Sequence, residues 1–173
     1  MKTIALFPLE LGRLLRSRLT GWIFFLTVVS PAAGLFLDQP ASASTMLSQY
    51  LANPAIAGGV VGGILFGLLT VFELDHVHRS RVDVLIDAAV SPLVMALVRL
   101  LTLLAASALA LGAVLLVWFP ISAGLVGSVF DGGDYGMAYL LFLGLALPLS
   151  ILAAASAYQF TQRADLKSEA KRS

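Results

Sequence analysis

The residues able to do chemistry are few and crowded into one stretch. Both histidines, His76 and His78, stand with Glu73, Asp75, Arg79, Arg81, Asp83 and Asp87 within fifteen positions. Imidazole and carboxylate ligands suit zinc, and His76-Val77-His78 offers two nitrogens one residue apart. No cysteine and no further histidine exists to complete a shell, so no metal is expected and the stretch reads as a solvated polar segment. A second pair is Glu73 and Arg99. Arg99 interrupts an otherwise uncharged run, Leu93–Phe119, about six residues or roughly 9 Å of helix rise from its start. Ionisable groups at such depth are functional candidates. The expected use here is a structural Glu73–Arg99 pair, or snorkelling of Arg99 to the interface. No nucleophile–base pair, no carboxylate dyad within the spans and no phosphate-binding glycine loop is present. No catalytic residue, bound cofactor or enzymatic activity is therefore expected.

The elements that must position these groups follow from composition. Of 173 residues, 59% are hydrophobic and 12% charged, about half the charge of a soluble domain. Lipid is the expected solvent. Four apolar runs qualify as spans, since about 20 apolar residues cross a hydrocarbon core. They are 20–37, 54–74, 93–119 and 137–160. Basic residues then orient the chain. Lys2, Arg13, Arg16 and Arg18 precede the first span, Arg79 and Arg81 lie between the second and third, and Arg163, Lys167, Lys171 and Arg172 follow the fourth. The other two connections have no basic residue. The positive-inside rule places both termini in the cytoplasm. An all-α integral membrane protein of four spans, N-in and C-in, is the expectation. Ala41-Ser42-Ala43 resembles a signal cleavage site, but the apolar run before it exceeds a signal peptide's, so the first span is expected to stay. The formal charge of +1 and the lack of a basic patch argue against a nucleic-acid partner.

Four further features lie within, between and beside the spans. The leader 1–19 is expected as an interfacial helix, with Phe7, Leu11, Leu14 and Leu15 on one face and Glu10, Arg13, Arg16 and Ser17 on the other. Such a helix can turn its basic face toward anionic lipid. In the second span Gly58, Gly59, Gly62, Gly63 and Gly67 repeat at a spacing of four, a helix-packing signal whose partner is open, within the chain or outside it. In the cytoplasmic segment 75–92, Val82, Leu85, Ile86 and Ala89 share a face opposite Arg79, Asp83 and Asp87, and Ser91-Pro92 breaks the run before the third span. Residues 161–173 form a cytoplasmic tail.

In Phe72-Glu73-Leu74-Asp75 through Arg79-Ser80, then Leu85, Ser91-Pro92 and Arg99, the chain resembles the permease subunit of type-2 ATP-binding-cassette exporters. The resemblance covers about residues 1–160. It implies that the loop is a coupling helix docking into a separate nucleotide-binding ATPase, which would carry the ATP and magnesium. Arg79, Arg81, Asp83 and Asp87 would make polar contacts there, and Leu85 and Ile86 apolar ones. It implies a multi-pass protein of the cell membrane that forms part of an export path. Such units usually have six spans and this chain has four, so a second permease copy or a complementary permease chain is implied too. The alternative from another class is a non-transporting four-helix anchor or regulatory subunit.

Overall fold

The computed structural model describes residues 2–36, 48–79 and 92–169, and every element among them is helical. They are α1 (Lys2–Arg16), α2 (Arg18–Val29), α3 (Pro31–Gly34), a π-helical turn (Ser48–Ala52), α4 (Asn53–Arg79), α5 (Pro92–Val126), a 3-10 turn (Gly127–Val129) and α6 (Gly132–Glu169). Three stretches are long and apolar enough to cross a membrane: Tyr50–Asp75, Val94–Val129 and Gly132–Thr161. They contain or closely overlap the three expected spans 54–74, 93–119 and 137–160.

The expected first span, 20–37, takes a different form. Its helix α2 stops at Val29 after 12 residues, and α3 continues it for one turn. The cause is Pro31, which has no N–H to give the carbonyl of Thr27 one turn back. Ser30 Oγ donates to that carbonyl at 2.8 Å instead, while Thr27 Oγ1 donates to the carbonyl of Ile23 at 2.8 Å. The Ser30 hydroxyl thus takes over the backbone acceptor that proline leaves open, as apolar surroundings require. Ser30 itself stays in the right-handed helical region. Arg18 to Gly34 would together span about 25 Å, a little less than a hydrocarbon core.

Two more boundaries move. The second span's helix does not end at 74 but runs on through Arg79, because nothing between Glu73 and Arg79 breaks a helix. The last helix starts at Gly132, where Asp131 Oδ1 accepts the Gly133 N–H at 2.7 Å as an N-cap, and extends to Glu169, well into the segment expected as a tail.

Packing follows spacings of four. On α6, Tyr139, Leu143, Leu147 and Ile151 form a buried stripe; on α5, Ala106, Ala110, Val114 and Trp118 form another. The remaining faces carry Leu140, Leu141, Leu145 and Leu149 of α6, and Leu101, Leu109 and Leu116 of α5, all exposed and suited to lipid. At the end where α5 turns into α6, Gly127 takes a left-handed φ of 68°. Beside that turn Phe119 stands edge to face with both Phe130, at 5.3 Å, and Tyr135, at 5.5 Å. Trp118 Nε1 donates to the Val28 carbonyl at 2.8 Å, tying α5 to α2 close to Pro31.

Candidate functional site

The glycines of α4 come first, because they set how close the other helices approach. A Cβ built on Gly59 would lie 2.7 Å from the Phe142 carbonyl oxygen of α6. On Gly63 it would be 3.7 Å from the Ala146 carbonyl oxygen, and on Gly67 3.9 Å from that of Ser150. Phe142, Ala146 and Ser150 are again four apart, so two regular stripes face each other along a seam. Gly58 and Gly62 serve a second neighbour. Their added Cβ atoms would meet Pro31 and Thr27, each at 3.1 Å, and also Leu143 and Leu147 of α6. Both glycine rows are therefore taken up inside this chain. The end of α3 is equally tight, since a side chain on Gly34 would collide with the backbone of Asn53.

At its other end α4 carries Glu73, and here the contacts are ionic. On α1 the inward side holds Leu14, buried at 2%, with Phe7, Glu10 and Ser17 partly covered at helical spacing. Glu10 thus sits on the packed side and not on the outer polar face expected for it, while Leu15 points outward. The reason is angular: Glu10 lies three residues after Phe7 and four before Leu14, so a helix stacks all three on one side. One turn on, Arg13 Nε donates to Glu10 Oε2 at 2.8 Å and Nη2 donates to Glu73 Oε2 at 2.6 Å. The leader is thereby clamped to the end of α4 sixty residues away in sequence.

Arg99, on α5, completes the junction. Glu10, Arg13, Leu14, Glu73, Leu74, Arg99, Thr102 and Leu103 line a cavity of about 20 Å³, space for about one water. The expected partners Glu73 and Arg99 thus border one cavity, with Arg13 holding the Glu73 carboxylate. Two carboxylates and two guanidiniums balance in formal charge, as a site at the edge of lipid requires. Burial alone disfavours the Arg13 cation, but hydrogen bonds and charge from Glu73 and then Glu10 outweigh it. The net result raises its pKa above the ordinary arginine value. The arrangement is an ionic latch between α1 and the end of α4.

Sequence reasoning missed Arg13 as the partner of Glu73, and Glu10 as the second carboxylate on Arg13. The helical spacing of Glu10 with Phe7 and Leu14 was the available signal. Of the proposed ATPase contacts, Arg79 is the last residue of α4. Arg81, Asp83, Leu85, Ile86 and Asp87, and with them the coupling-type helix, lie outside the described residues.

Comparisons with protein-family models, with curated proteins and with solved structures find no match.

Proposed function

We propose that the chain is the membrane-spanning permease subunit of an ATP-binding-cassette exporter, with four spans and both termini in the cytoplasm. It would share its path with a second permease copy or a complementary chain, in the cell membrane. The observation that carries this reading is the latch. Arg13 joins the leader helix to Glu73, and α4 then continues six residues beyond Glu73, to Arg79, toward the segment proposed to meet the ATPase. A push on that segment would reach α1, α4 and α5 together, which is the mechanical requirement for a separate motor to move a membrane domain. The export path itself would lie between chains, because the glycine rows of α4 are occupied within this one. That same occupation favours the second reading, a non-transporting membrane anchor or regulatory subunit.

One experiment separates the two. Under the permease reading, chain extracted in mild detergent retains a subunit with magnesium-dependent ATPase activity, and Leu85→Asp with Ile86→Asp abolishes the association. Recovery of no ATPase, with a double variant that behaves like the parent, would sink the permease reading. Because the chain has no cysteine, Ser44→Cys and Ser168→Cys give a clean check of orientation. Only the cysteine at 44 should react with an impermeant maleimide added outside.

A further inference from the structure

Beside the latch, α1 and α2 meet at an elbow. Ser17 leaves the helical region there, at φ −66° and ψ 130°, and separates Arg16 from Arg18. Unlike Arg13, neither of these arginines has an acidic partner among the described residues. Two open clefts flank them. One is lined by Pro8, Leu9, Gly12, Arg13, Arg16 and Ser17, the other by Arg18, Gly21, Trp22 and Phe25. Each has a glycine in its wall, and a Cβ on Gly12 or Gly21 would meet nothing within 4 Å. Trp22 is 65% exposed and stands edge-on to Phe25 at 6.0 Å.

In a membrane these features fall in order of depth. Two guanidiniums stand at the start of a lipid-immersed helix, an exposed tryptophan follows one turn in, and a phenylalanine comes less than a turn later. Tryptophan prefers the headgroup level. Guanidinium presents a fixed fork of donors that fits phosphate oxygens. Excess positive charge beside an exposed apolar wall is complementary to a molecule with an anionic head and a hydrocarbon tail. We propose that this elbow binds an anionic phospholipid, with the phosphate on Arg16 and Arg18 and an acyl chain along Gly21, Trp22 and Phe25. The site is independent of any ATPase, so it stands or falls apart from the permease reading.

Trp22 reports on the site directly. The chain has two tryptophans, so Trp118→Phe leaves Trp22 alone. That variant is reconstituted in phosphatidylcholine vesicles with a small share of brominated phosphatidylglycerol or brominated phosphatidylcholine. Brominated phosphatidylglycerol should quench with an apparent affinity higher by about fivefold for each arginine engaged. Arg16→Gln with Arg18→Gln should bring the two lipids to parity. Arg163→Gln, which removes a basic charge in α6, should leave the preference intact. In the unaltered chain, lipid that survives detergent purification should be enriched in phosphatidylglycerol, and the double variant should lose that enrichment. Equal quenching by the two lipids, or an equal loss of preference in Arg163→Gln, overturns the proposal.

Discussion

One helix, α4, is held at two places by opposite means. Along Gly59, Gly63 and Gly67 it is held by shape. Where the seam is tightest, backbone meets backbone with no room for a methyl group, and no charge is involved. At Glu73 it is held by charge, with a guanidinium from another helix at 2.6 Å and two more ionisable side chains around a cavity the size of one water. At Gly59 the first contact leaves no room for an added methyl group. The second tolerates rearrangement, because its side chains are long and Arg13 remains 44% exposed. The permease reading proposed above would need both kinds, one to keep the fold and one to pass on a movement.

The largest effect that can break this contrast is at the seam. Gly59→Leu drives a side chain into the Phe142 carbonyl and should cost about 3 kcal/mol in a detergent unfolding titration, or prevent folding. Gly112 of α5 has nothing within 4 Å of an added Cβ. Gly112→Ala should therefore be neutral, or stabilising by about 0.5 kcal/mol through helix propensity. Equal losses at the two positions would show that glycine in these helices matters for some reason other than close approach.

The chain at Pro31 sharpens the contrast at an intermediate scale. Ser30→Ala removes the hydroxyl that serves the Thr27 carbonyl and should cost about 1 kcal/mol. In a Pro31→Ala background the residue at 31 regains its N–H, and the same Ser30→Ala change should cost much less. If Ser30→Ala costs the same in both backgrounds, the hydroxyl is not a substitute for the missing backbone donor.

The contrast also explains how far the sequence could be read. Spans two to four were legible because an uncharged run of about 20 residues has few other uses. The glycine rows were legible as a face because a spacing of four is a property of one helix. Which helix they meet was not, since the matching stripe of Phe142, Ala146 and Ser150 carries ordinary small and apolar residues. Pro31 stood in plain view inside the first run, yet only the Ser30 hydroxyl bond shows how the Thr27 carbonyl keeps a donor there. The ionic junction was legible in half. Glu73 and Arg99 drew notice because charge is scarce in apolar sequence. Arg13 did not, because a basic residue in a leader has a sufficient explanation in orientation, and no periodicity links positions sixty residues apart.

The smallest effect bears most directly on the latch. Partly exposed ion pairs are worth about 1 kcal/mol or less, and salt weakens them. A double-mutant cycle of Arg13→Gln and Glu73→Gln, read by unfolding in detergent at low ionic strength, isolates their interaction. With α1 clamped to α4 by this pair, each single change costs about 1 kcal/mol, the double change costs little more than either, and the coupling shrinks in high salt. Costs that simply add, with no dependence on salt, would mean that Arg13 and Glu73 do not hold the two helices together.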